Sequence, residues 1–171
     1  MTRAALTVIA LVTCLMTLPS LAADRDKFIG TWKLVSIEDH SPDRATSRFQ
    51  FGPHPIGYIM YDRSEHMCVQ IVDPDRAKWV SAEETYRPTE SELRSAADGS
   101  VAYCGRYEVN QKEKFVVHHV ELEFVPNEIG ADRKRQYRFS GNRLELSPTP
   151  DLKLTWERVE VVRCCMRTRA E

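Results

Sequence analysis

Residues 115–124 read Phe115-Val116-Val117-His118-His119-Val120-Glu121-Leu122-Glu123-Phe124. Neither Gly nor Pro interrupts the run. Its β-branched, aromatic and charged residues carry apolar side chains at every second position, the period of a half-buried strand. Val116, His118, Val120, Leu122 and Phe124 therefore share one face, and Phe115, Val117, His119, Glu121 and Glu123 share the other. The even-numbered row is the more apolar and is expected to project into an enclosed hollow. Alternation also sends His118 and His119 to opposite faces, so the two rings cannot hold one metal or one haem from within.

Outward from this strand the same period marks seven more segments, at 30–39, 57–61, 66–72, 101–109, 133–140, 143–147 and 152–159. Turn residues separate them, among them Gly52-Pro53-His54-Pro55, Asp62-Arg63-Ser64-Glu65, Pro126-Asn127, Ser140-Gly141-Asn142 and Pro148-Thr149-Pro150. Eight closely connected strands in up-and-down order predict an all-β fold, a closed eight-stranded antiparallel barrel. One patch departs from the pattern. Residues 81–97 are rich in Glu, Ala and Ser, and both Ser81-Ala82-Glu83-Glu84 and Thr89-Glu90-Ser91-Glu92 have capping-box spacing. They predict a short helical insert, read either as a lid over the open end or as a solvated excursion.

Alternation assigns inward rows to the other strands as well. Met67, Val69 and Ile71 form one, and Tyr103, Gly105, Tyr107 and Val109 another. Arg133, Arg135, Tyr137 and Phe139 form a third, with Leu144 and Leu146 and then Leu152, Leu154, Trp156 and Arg158 following. For Tyr58 and Met60 against Ile59 and Tyr61 the pattern leaves both assignments open. The interior is thus mostly aliphatic and aromatic, with His118, Arg133, Arg135 and three tyrosine hydroxyls as polar intrusions. Glu38, at the end of the first strand on the row of Trp32 and Leu34, is the one acid on the inward rows, so the buried cations lack partners and point to a guest that carries an acceptor.

The chain of 171 residues carries 24 Lys+Arg against 25 Asp+Glu, a balance without the basic bias of a nucleic-acid binder. Residues 1–22 read as a secretory leader, expected to be cleaved before Ala23. Arg3 supplies its positive start, 4–18 its apolar core, too short for a membrane span, and Ser20-Leu21-Ala22 its small residues. An uncleaved anchor is the rival reading. Residues 23–160 then form the barrel domain and 161–171 a C-terminal tail. Export predicts an oxidising compartment, and Cys68, Cys104, Cys164 and Cys165 allow three pairings that stay open, although adjacent Cys164 and Cys165 are poor partners for each other. No metal-ligand spacing, phosphate loop, nucleophile elbow or dinucleotide loop occurs, and no cofactor is expected.

Gly30-Thr31-Trp32 opens the first strand and Trp156-Glu157-Arg158 closes the last. Between them stand Phe51 to Tyr61 with the pattern F-G-P-x-P-x-G-Y-x-x-Y, then His66-Met67, Ala102 to Val109, Val117 to Glu121, Pro126 to Gly130, Arg135 to Phe139 and Gly141 to Leu146. In this order the chain resembles the lipocalin-like domain family of small bacterial and fungal barrels. The resemblance implies a calycin-type barrel with Trp32 plugging its base and Arg158 stacked across the indole as structural residues. It fixes architecture further than activity.

Together these residues predict an exported barrel that binds a small, mostly apolar ligand. His118, Arg135, Tyr103, Tyr107 and Tyr137 would orient the guest, with Met67, Val69, Val120, Leu122, Phe124 and Leu146 as apolar wall. Two alternatives come from other classes. One is an isomerase, cyclase or hydratase using His118 as acid or base; the other is an envelope protein with a filled core.

Overall fold

The computed structural model describes residues 24–42, 51–80 and 87–160. A one-turn helix α1 (Asp24–Phe28) leads into β1 (Gly30–Asp39), β2 (Ile56–Tyr61) and β3 (His66–Val72). Helix α2 (Glu90–Asp98) stands between β3 and β4 (Ser100–Asn110), and β5 (Phe115–Glu123), β6 (Asp132–Ser140), β7 (Arg143–Thr149) and β8 (Leu152–Arg158) complete the order. Each strand pairs antiparallel with the next, and β8 returns to β1 to close the barrel. The sequence-predicted strands all appear, within two residues at each end.

Within the described part of the expected insert, 87–97, helix runs from Glu90 and extends one residue beyond, to Asp98. Thr89 caps it in a reciprocal capping box with Glu92, and Glu92 also accepts the Val80 amide at 2.7 Å. The capping-box spacing at 81–84 lies outside the described residues, as do the leader and the tail.

Of the three register shifts in the barrel, those on β5 and β1 change which of the expected side chains face inward. On β5, Cys104 pairs with Leu122 and the neighbouring Gly105 with Val120, so Glu121 is an extra residue. Its insertion shifts the alternation by one, because a bulge places two residues opposite one. Leu122 and Phe124, expected on the inner wall, therefore turn outward and stand 66% and 59% exposed. Glu123 takes the inward place. Gly105 permits this approach: a Cβ there would lie 1.9 Å from the His119 carbonyl oxygen. On β1 the step between Leu34 and Ser36 makes Val35 the extra residue. Glu38, expected inside, thereby turns outward to pair with Lys153 at 2.9 Å.

Cys68 and Cys104 face each other across β3 and β4 and are joined by a disulfide. Of the three pairings open to the sequence, this one joins residues already in register.

Candidate functional site

The interior has a sealed pole and a hollow pole. At the sealed pole the ring of Phe28, carried by α1, meets Tyr61, Tyr137 and Phe139 edge-on, each at 5.0 Å between centroids. Trp32 donates its indole N–H to the Phe28 carbonyl at 2.8 Å. Arg158 lies over the Trp32 ring at 4.1 Å, donates to the carbonyl of Ile29 at 2.7 Å and also to that of Lys27. Such a stack contributes about 0.5–2 kcal/mol. Asp24 fastens α1 from outside: its carboxylate accepts from Lys27 at 2.9 Å, Lys114 at 2.5 Å and the Tyr137 hydroxyl at 2.8 Å. Burial raises the pKa of Asp24, but these three donors outweigh it and hold the carboxyl well below its ordinary value.

Above this plug sits His118, 1% exposed. Tyr61 Oη stands 2.8 Å from Nε2 and Tyr103 Oη 2.8 Å from Nδ1. A neutral imidazole has one donor and one acceptor, so one phenol donates to the ring and the other accepts from it. Burial pushes His118 well below its usual 6.5, and the charges of Arg135 and Arg133 push the same way. Burial raises Tyr61 well above 10. Both groups are therefore uncharged. Tyr61 is packed among rings at the sealed pole, where its proton has His118 Nε2 as its acceptor among the described residues. Either tautomer leaves one phenol O–H without the ring; Tyr103, not Tyr61, lines the hollow, so the tautomer with Tyr61 donating to Nε2 and Nδ1–H donating to Tyr103 is the one that turns that O–H into the hollow.

The two inward arginines of β6 have different fates. Arg133 meets Glu123 at 2.8 Å and Glu128 at 3.3 Å, and its guanidinium stacks on the Tyr103 ring at 4.3 Å. The contact with Glu123 is a charge pair whose angle falls short of a hydrogen bond. The bulge on β5 thus supplies an acid that simple alternation had placed outside. Arg135 is the remaining cation. Among the described residues no carboxylate reaches it, and its recorded bond is to the Lys134 carbonyl at 3.0 Å.

Between these groups and the mouth lies a hollow of about 50 Å³. That volume admits a few waters or the head of a small molecule, well short of the several hundred Å³ of a drug-sized pocket. Ile37, Phe51, Ile59, Val69, Ile71, Val101, Leu146, Leu152 and Leu154 give it apolar walls, and Tyr103, His118, Arg133, Arg135 and Trp156 its polar ones. Trp156 is 1% exposed, and among the described residues its indole N–H has no hydrogen-bond partner. An orphaned buried donor costs about 1–3 kcal/mol. The hollow therefore holds more donors than acceptors: the Trp156 N–H, the Tyr103 O–H and the Arg135 guanidinium.

Of the residues the sequence singled out, His118, Arg135, Tyr103, Val69 and Leu146 come together around the hollow. Met67 and Val120 are buried in the core but line no part of it. Tyr107 and Tyr137 point inward yet belong to the sealed pole, donating to the Asp62 carbonyl at 2.9 Å and to Asp24. Leu122 and Phe124 lie outside the barrel. Among the described residues, α2 contributes nothing to the hollow, and no three His, Cys, Asp or Glu side chains are grouped for a metal. Trp156 was read from the sequence as one of a row; its aromatic character and inward parity were visible, its unpaired donor was not.

The sequence model of a family described as a lipocalin-like domain matches residues 29–167. Among solved structures, a DUF4847 family protein from Bacteroides vulgatus is similar at 12% identity, covering 78% of this chain and 96% of that one, with a TM-score of 0.40. A mutant of the fluorescent protein UnaG is similar at 14% identity over 78% of this chain and 97% of its own, with a TM-score of 0.34. No curated protein matches the chain. No helix of the described residues is long and apolar enough to cross a membrane.

Proposed function

The chain belongs to the lipocalin-like domain family, and on that premise we propose that it is an exported protein whose barrel takes a small, mostly apolar molecule by a single acceptor group. The observation that carries this reading is the Trp156 N–H, buried without a partner among the described residues in the wall that also holds Arg135. A carboxylate or carbonyl oxygen entering the hollow would be offered the indole N–H, the Tyr103 hydroxyl and the Arg135 guanidinium, which no described carboxylate reaches. The apolar remainder of the guest would lie against Ile37, Ile71, Val101 and Leu152 toward the mouth. His118 reaches the hollow through Tyr103 rather than with a free nitrogen, so its part is to orient that hydroxyl. Export is supported by the composition of residues 1–22 and by a disulfide suited to an oxidising compartment.

Titrating the protein with small aliphatic and aromatic monocarboxylates, read by tryptophan fluorescence and native mass spectrometry, tests the binding. An acid should bind one per barrel, and Arg135→Leu should weaken it about ten- to hundredfold, the range of one charged hydrogen-bond pair. Equal affinity for the acids and their matched hydrocarbons would defeat the acceptor reading. N-terminal sequencing of protein recovered outside the cytoplasm should begin at Ala23.

A further inference from the structure

The bulge that takes Leu122 and Phe124 off the inner wall sets them on the outer face, where a water-facing sheet ordinarily presents polar side chains. They complete a pattern there. One outward row crosses the sheet as Met60, Cys68, Cys104 and Leu122. The next crosses as Tyr58, Gln70 and Ala102, whose carbonyl accepts the Phe124 amide at 3.1 Å. Both rows are large at their ends and smaller between. β2 and β5 thus form two ridges, and β3 and β4 a floor between them that holds the Cys68–Cys104 disulfide. Strands lie ~4.8 Å apart, so the ridges stand roughly 14 Å from each other and leave width for one further row of large side chains.

Extent, charge and shape all fit a second copy of this chain. Among the described residues, Ile56, Tyr58, Met60, Leu122, Phe124 and Ile129 are each about half exposed or more. At roughly 200 Å² for a large side chain, they leave about 600 Å² of apolar surface on one face. That is the upper end for a monomer's largest patch, and most of the ~800 Å² that a specific dimer covers on each partner. The charged side chains of the described lining are already engaged. Glu123 meets Arg133 at 2.8 Å, and Arg76 donates to the carbonyls of Asp73 at 2.9 Å and Ala96 at 3.2 Å. A second copy meets such a face without like-charge repulsion, whereas a charged partner or an anionic lipid surface gains no steering from it. The shape is complementary to itself. About a two-fold axis, a face with a ridge and a floor of matching width lays its ridge on the copy's floor and receives the copy's ridge in return.

We propose that this outer face is the interface of a two-fold homodimer, in which the Leu122 and Phe124 ridge of each copy lies along the Cys68–Cys104 floor of the other. Each inserted ridge is flanked by the partner's Tyr58, and the two sheets pack face to face at about −30°, the angle of aligned twisted sheets. The bulge on β5 then has two results at once: it turns Glu123 inward to Arg133 and supplies the ridge outside.

Sedimentation equilibrium of the purified protein tests this, and should give twice the chain mass at ~10 µM. Leu122→Glu should raise the dimer dissociation constant at least about a hundredfold, while circular dichroism stays that of the parent because the side chain faces away from the core. Tyr58→Lys should act likewise from the opposite ridge. An equimolar mixture of the two variants should regain the dimer, because the introduced carboxylate of one then meets the introduced ammonium of the other. A parent that stays monomeric up to about 100 µM would overturn the proposal, leaving the face to a segment of its own chain or to another protein. So would a dimer indifferent to both substitutions, or a mixture that remains monomeric.

Discussion

His118 links the interior's chemistry to its stability. Its proton affinity in the folded chain lies below the ordinary 6.5 because burial and two arginines disfavour the cation. The unfolded chain therefore binds a proton that the folded one refuses, and stability is full above the ordinary value and falls as pH drops below it. Urea unfolding should show a loss approaching about 1.4 kcal/mol per pH unit below about pH 6, and His118→Gln should remove that slope. Trp156 makes the opposite kind of prediction. Trp156→Phe removes a donor that no described residue accepts, so folding stability should change by less than about 1 kcal/mol, while affinity for a bound acid falls. A single glycine holds the bulge of β5. Gly105→Ala, with its methyl group driven into the His119 carbonyl, should lower unfolding free energy by about 3 kcal/mol or more.

At the scale of elements, the strands were legible from period and punctuation because each presents one face to the core and one to water. What alternation could not carry was its own interruption. A bulge leaves no mark in a count of every second residue, so the expected inner wall ran past Glu121 and placed Leu122 and Phe124 on the wrong side. The available signal was Gly105 on the facing strand, since a glycine inside a strand marks a bulge or a close backbone approach. The same interruption at Val35 misplaced Glu38. Helix α1 escaped because five residues are too few to show a helical period. Its hold on the barrel is Asp24, and there the sign of the pH effect is again fixed by the shift. A carboxyl held below its ordinary 3.8 stabilises the fold above that value, and the contribution drains away as pH falls toward the folded value. Asp24→Asn should cost about 2 kcal/mol at neutral pH, leaving Tyr137 poorly satisfied, and should flatten the acid limb of the unfolding curve below about pH 4.

For the molecule as a whole, closure removes free strand edges, and the disulfide ties β3 to β4 across a separation of 36 residues. Converting both partners, Cys68→Ala with Cys104→Ala, should lower stability by about 3–4 kcal/mol, as expected for a loop of that length, checked by thermal unfolding. Recognition of the barrel from sequence went further than recognition of its guest because architecture depends on many weak, repeated signals. The site depends instead on a few groups whose satisfaction is known only once every neighbour is in place. Arg133 and Arg135 look alike in the sequence; the bulge gives the first a carboxylate and leaves the second without one among the described residues.

The base of the barrel has one more consequence. Asp24 binds the turn beside Lys114, and Arg158 closes over Trp32 and the carbonyls of Lys27 and Ile29, so the domain begins and finishes at the same pole. A circular permutant that joins these ends through a short linker and opens at the Gly141-Asn142 hairpin should keep every barrel strand intact. Tethered to a support by either end, the protein would turn its mouth toward the solution.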